Sequence, residues 1–114
     1  MATARATWDY RDRFGDAFGR TYFRRFGDGV VSSVGLGTHL GESTPAVDDR
    51  YERALIAGLE GGCNVVDTAS NYRCGRSERV VGQALERADV DRSTVVGATK
   101  GGFLPFDGAR PDDP

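Results

Sequence analysis

The chain has 114 residues, 39% of them apolar and 28% charged, which bounds it to at most one domain of ordinary globular composition with a modest core. Its formal net charge of -2 comes from interleaved basic and acidic residues, so no patch for nucleic acid is expected, and no apolar run approaches the ~18 residues of a membrane span. Met1 to Arg13 lacks the apolar stretch of a secretory leader, which makes the cytoplasm the expected compartment.

Residues 1–20 are charged and aromatic without a clean period, and Gly15 and Gly19 interrupt any helix, so this segment reads as an extension that packs on something larger. Tyr22–Phe26 and Val30–Val34 are β-prone runs on either side of Gly27-Asp-Gly29, the composition of a hairpin turn. A strand is expected over Val34–Thr38. Ser43-Thr44-Pro45 then opens a helix, with Thr44 as N-cap and Pro45 at its first position; its stripe is Tyr51, Leu55, Gly58 and Leu59, and Gly61-Gly62 stops it. A β-branched run over Asn64–Ala69 predicts a buried parallel strand. Ser77 reads as the N-cap of a helix over Glu78–Ala88, where Val80, Val81, Ala84, Leu85 and Ala88 recur at helical spacing. A third strand is expected over Thr94–Lys100, followed by a loop from Gly101 to Gly108 and a polar tail.

The centres of the three strands, Leu36, Val66 and Val96, are thirty residues apart, the repeat of a parallel α/β fold. The strands end on Thr38, Asp67 and Lys100, the only lysine against 14 arginines. In a barrel or a doubly wound sheet those ends share one rim, and Tyr72 follows in the adjoining loop. An ammonium beside a phenol favours the phenolate and makes the phenol a better proton donor, while a carboxylate would hold the ammonium. The plainer reading is that Asp67 satisfies backbone donors and Lys100 solvates a strand end. Gly35-Leu-Gly37-Thr-His-Leu-Gly41 loosely suggests a dinucleotide fingerprint, but Glu42 to Pro45 intervene before the helix, and Asp67 comes later than the expected ~20 residues. Cys63 and Cys74 form no Cys-x-x-Cys pair and His39 has no neighbour to complete a zinc site, so no metal is expected. Cys63 reads as a small core residue, and Cys74 as a loop residue beside Tyr72.

Asp67-Thr68-Ala69, Tyr72, Gly75, Ser77-Glu78, Gly82 and Leu85, in ungapped order, resemble the signature of the aldo-keto reductases. The flanks agree: Gly35-Leu-Gly-Thr38 is similar to that family's first barrel strand, Ala57–Gly62 to the end of its first helix, and Val96–Gly102 to its third strand. The resemblance covers about residues 21–106. It implies an α/β fold that is the amino-terminal portion of a (β/α)8 TIM barrel, preceded by a β-hairpin that closes the barrel's amino-terminal end. Residues 1–20 would be an extension and 107–114 a tail.

The resemblance also implies hydride transfer from NADPH, ahead of NADH, to a small aldehyde or ketone. Tyr72 would be the general acid, tuned by Asp67 and Lys100, with Gly37, Thr38 and Asp67 near the nicotinamide and its ribose. The family's further catalytic histidine, beyond the next strand, has no counterpart; His39 lies on the first strand's loop, with packing the simpler duty. The loops that grip the cofactor's pyrophosphate belong to the family's carboxyl-terminal half. The expectation is therefore an incomplete barrel, inactive alone and with two open sheet edges, or alternatively a non-catalytic module binding a nicotinamide or a protein.

Overall fold

Three short parallel strands carry the molecule: β3 (Leu36–Gly37), β4 (Val65–Asp67) and β5 (Val96–Ala98), in the order β3-β4-β5. The computed structural model describes residues 1–101; the expected loop beyond Gly101 and the polar tail lie outside the described residues. Leu36 pairs with Val66 and Gly37 with Asp67, while Val65, Val66 and Asp67 pair with Val96, Gly97 and Ala98. Side chains alternate across a strand, so Val66 points into the core while Asp67 is exposed at the carboxyl end.

Helices α2 (Pro45–Gly61) and α3 (Arg76–Arg87) cover one face of this sheet. Leu55 and Leu59 of α2, Val80 and Ala84 of α3, and Val66, Ala88 and Val95 form the buried core, with Leu36, Tyr51 and Leu85 packed on its margin. Thr44 caps α2 as expected, its Oγ1 accepting from the Val47 amide, and Pro45 occupies the first helical position, where a missing N–H costs nothing. Gly58 lets α2 sit directly on the sheet, because a Cβ there would lie 2.7 Å from Leu36 Cδ1. Gly62 ends the helix at φ +116, beneath the Phe18 ring.

The hairpin forms as β1 (Phe23–Phe26) and β2 (Gly29–Ser32), antiparallel, with Phe26 opposite Gly29 and Gly27 at φ +59 in the two-residue turn. Two expectations need correction. Residues 1–20 are not irregular throughout: α1 (Ala4–Phe14) is a helix capped by Thr3, whose Oγ1 accepts from the Ala6 amide. Gly15 ends that helix rather than preventing it, and tertiary packing compensates for the weak period. Tyr10 is buried, donates to the Leu59 carbonyl, and joins Phe14, Phe18, Tyr22 and Phe23 in an aromatic cluster.

The second correction concerns helix and strand starts. Ser77 is not the N-cap of α3; Gly75, at φ +87, holds that position, and Ser77 lies inside the first turn. The strands are also shorter than the apolar runs, and Thr94 belongs to a 3-10 turn over Arg92–Thr94 closed by the Asp91 side chain. Ladder bonding still runs past the strand ends, from Val96 N to Asn64 O (2.8 Å) and from Ser70 N to Lys100 O (3.0 Å).

Asn64 joins the hairpin to the sheet. Its fully buried amide accepts from Ser32 N (2.8 Å) and donates to the Val30 and Thr94 carbonyls (3.2 and 3.1 Å), while its own N–H donates to Ser32 Oγ (3.1 Å). Removing a partner strands buried polar groups, which is costlier than the bond itself is worth. Asn64→Ala is expected to destabilise the fold by about 3 kcal/mol in urea denaturation, with loss of amide-exchange protection at Ser32; a change below about 0.5 kcal/mol would contradict this account.

Candidate active site

The parallel register brings the ends of β4 and β5 together. Lys100 Nζ donates to Asp67 Oδ1 at 2.7 Å and to the Thr68 carbonyl at 2.9 Å. It also lies 4.9 Å from the centroid of the Tyr72 ring, within cation–π range. Three of the residues singled out in the sequence, Asp67, Tyr72 and Lys100, therefore meet on one rim. The pair is open to water, with side chains 53% and 50% exposed, so its worth lies in placing charge rather than in stability. The Lys100 ammonium is held above the ordinary lysine value, first by its hydrogen bond to Asp67 and then by the Tyr72 phenol beside it.

Thr38 and Gly37 border this cluster differently. Thr38 is buried; its Oγ1 donates to the Asp67 carbonyl (3.0 Å) and its own carbonyl accepts from Ser77 Oγ (2.6 Å). Its hydroxyl thus fastens β3 to β4. Gly37 is exposed beside Asp67 and leaves open space, since a Cβ there would meet nothing within 4 Å.

His39 is exposed, and its ring meets the Tyr72 ring edge-on at 4.7 Å between centroids. It therefore packs on the very phenol at issue. Cys74, next but one to Tyr72, is half-buried and accepts from Ser43 Oγ at 3.2 Å. Cys63 is half-buried rather than a core residue, 3.3 Å from the Tyr22 hydroxyl. Burial and that thiol push the Tyr22 phenol up to about 12. Among the described residues no group of three or more His, Cys, Asp or Glu side chains is placed to hold a metal ion, and no helix is long and apolar enough to cross a membrane.

Sequence reasoning missed the anchor of the Tyr72 loop. The Arg73 side chain is fully buried: its Nη2 donates to Asp48 Oδ1 (2.6 Å), and its Nε to the Glu42 carbonyl (3.0 Å). Arg76 Nη1 takes the other Asp48 oxygen at 2.7 Å. The signal for it was weak: arginine abounds in this chain, and Asp48 lies 25 residues away. Burial raises the proton affinity of Asp48, but the two guanidinium hydrogen bonds outweigh it and hold the carboxyl below its ordinary value.

The profile described as the aldo/keto reductase family matches residues 33–113, more than half of the chain. This chain belongs to the aldo-keto reductase family. It is 38% identical over 88 residues to aldo-keto reductase AFTS1 of Alternaria alternata, an alignment spanning 71% of this chain and 24% of that protein. The crystal structure of an aldo/keto reductase from Klebsiella pneumoniae in complex with NADP and acetate superposes with a TM-score of 0.59 at 37% identity, covering 68% of this chain and 27% of the other. The chain thus spans about a quarter of the length of these reductases.

Two measurements check the electrostatics. Because Lys100 is the only lysine, its ε-carbon can be followed alone by NMR; Asp67→Asn should lower its titration midpoint, since the leading cause of the rise is gone. An unchanged midpoint would mean that the ion pair is not populated. Asp48→Asn leaves the buried Arg73 guanidinium without its counter-charge and should cost roughly 3 kcal/mol near neutral pH. A depressed carboxyl stabilises the fold above its unfolded value of 3.8 and loses that contribution as pH falls through the lower folded value. The gap between wild type and variant should therefore close as urea denaturation is repeated into that acidic range.

Proposed function

We propose that this chain is the amino-terminal part of an aldo-keto reductase barrel, with the hairpin at the barrel's closed end, and that its rim carries the proton-transfer half of carbonyl reduction. The observation that supports this most is the convergence of Lys100, Asp67 and Tyr72 at adjoining strand ends. Active sites of barrel enzymes are built at the carboxyl ends of strands, from residues of several strands and their loops.

The residues suit a nicotinamide cofactor. One Asp67 oxygen is engaged by Lys100; the other has no hydrogen bond among the described residues and can accept from a ribose hydroxyl. Gly37 leaves room beside it, and Thr38 braces the strand behind. NADPH is the preferred form and NADH the alternative, because the solved relative was crystallised with NADP. When bound, a reduced nicotinamide supplies the hydride.

The chain's own residues manage the proton. Tyr72 donates its hydroxyl proton to the carbonyl oxygen of a small aldehyde or ketone as negative charge develops there, leaving a phenolate. The Lys100 ammonium stabilises that phenolate, and Asp67 keeps the ammonium charged and close. In reverse, the phenolate accepts the proton of an alcohol. His39, against the edge of the Tyr72 ring, narrows the positions that ring can take. A cytoplasmic setting, where reduced nicotinamide cofactor is abundant, fits this reading.

The decisive experiment uses the complete protein of which this chain would be the amino-terminal part, and follows NADPH oxidation with a panel of small aldehydes and ketones, alongside cofactor binding by nicotinamide fluorescence. Tyr72→Phe is expected to lower carbonyl reduction by about 10²–10⁴-fold, with cofactor affinity changed by less than about threefold. Turnover in that variant within tenfold of wild type, or a wild-type protein that reduces none of the panel, would overturn the proposal.

A further inference from the structure

Tyr72 is followed by two non-glycine residues in the left-handed region: Arg73 at φ +50, ψ +46 and Cys74 at φ +58, ψ +35. Such conformations persist in L-residues only where surrounding contacts over-determine them. Cys74 is held to the loop ahead of α2 by the Ser43 hydroxyl at 3.2 Å, and most of the remaining contacts come from one side chain. Arg73 is fully buried; besides Asp48 it binds the carbonyls of Glu42 and Thr44, both in the loop between β3 and α2. Its guanidinium also lies over the Tyr51 ring, with Cζ 5.0 Å from the centroid. The Tyr51 hydroxyl in turn donates to the carbonyl of Leu40.

Leu40 adjoins His39, and His39 packs on Tyr72. The contacts close a ring: Tyr72 to Arg73 along the chain, Arg73 to Tyr51 and the loop carbonyls, Tyr51 to Leu40, and Leu40 back through His39 to Tyr72. One guanidinium thereby joins two loops that hydrogen bonds of the sheet do not connect. Gly41, at φ +106, completes the fit, since a Cβ there would come within 3.0 Å of Val47 Cγ1 and 4.0 Å of Arg73 Nε.

We infer that Arg73, held by Asp48, is a positioning residue that locks the loop carrying His39 to the loop carrying Tyr72 and so sets where the Tyr72 hydroxyl stands over the rim. This rests on the reading of Tyr72 as the proton donor, but the contact it controls can be measured without turnover. Arg73 touches neither the ion pair of Asp67 and Lys100 nor the space beside Gly37. It acts through the backbone of its neighbour and through Tyr51.

The test reads nuclear Overhauser cross-peaks between the ring protons of His39 and Tyr72 in the chain as it stands. Arg73→Gly keeps a backbone that tolerates positive φ and removes the whole side chain, guanidinium included; the cross-peaks should fall at least fivefold while amide shifts in α1 and the hairpin stay put. Arg73→Lys keeps a cation for Asp48, and with it the fold, but an ammonium lacks the planar fork that reaches several acceptors and stacks on Tyr51; at least a twofold loss is expected. Leu55→Val weakens the core beneath α2 without touching the ring of contacts and should leave the cross-peaks at full strength. Wild-type intensity in either folded Arg73 variant, or an equal loss in Leu55→Val, would overturn the inference. Failure of the catalytic reading shows separately, as retained reduction in Tyr72→Phe.

Discussion

A single buried amide holds the two parts of this chain in register. Asn64 stands just before β4, and its side chain and N–H together offer one acceptor and three donors, three of them spent on Ser32 and Val30 of β2 and one on Thr94 ahead of β5. A buried polar group of this kind tolerates one geometry only, because any slip would leave donors and acceptors unpaired away from water. It therefore fixes where β5 begins relative to β4. Everything at the opposite ends of those strands inherits that register, including the distance from Lys100 to Asp67.

The rim is assembled by a different balance of forces. The core beneath it is apolar and tolerant in character, built of Leu, Val and Ala from α2, α3 and β4. The charged groups divide by exposure. Asp67 and Lys100 face water, where a charge can meet a ligand without a large desolvation cost. Asp48 and Arg73 are withdrawn from it, at 24% and 0% exposure, and a pair of that kind is kept for geometry, since its Coulombic gain is offset by desolvation. The exposed pair and the buried pair are thus separate, with the Tyr72 loop between them.

Membership of the aldo-keto reductases places these observations in a wider frame. The matched segment, residues 33–113, leaves out α1 and the whole hairpin. Those elements nonetheless bury Tyr10, Thr7 and Val30 and supply the aromatic cluster against which Gly62 turns the chain. Residues 1–32 are therefore bound into the same packed body as the family segment. Phe26 and Val34 remain exposed on that side, as does Leu40 beside the rim.

Much of the fold was legible in the residues themselves, for local reasons. Thr44-Pro45 and Gly61-Gly62 bracket α2 because a cap and a left-handed stop act over a few residues, and Gly27-Asp28 turns the hairpin for the same reason. The thirty-residue spacing of Leu36, Val66 and Val96 placed Asp67 and Lys100 at neighbouring strand ends, since parallel strands with right-handed crossovers must point one way. The α1 helix, Ser77 as a buried brace on Thr38, the contact of His39 with Tyr72, and the Arg73–Asp48 anchor were not legible. Each depends on a partner 20 or more residues distant, and a side chain's partner at that range is chosen by packing rather than by its neighbours in sequence. The sequence by itself determined which residue types stand at the strand ends; only the tertiary structure decided that Tyr72 is held over them, because the guanidinium that anchors its loop finds all its acceptors on another segment of the chain.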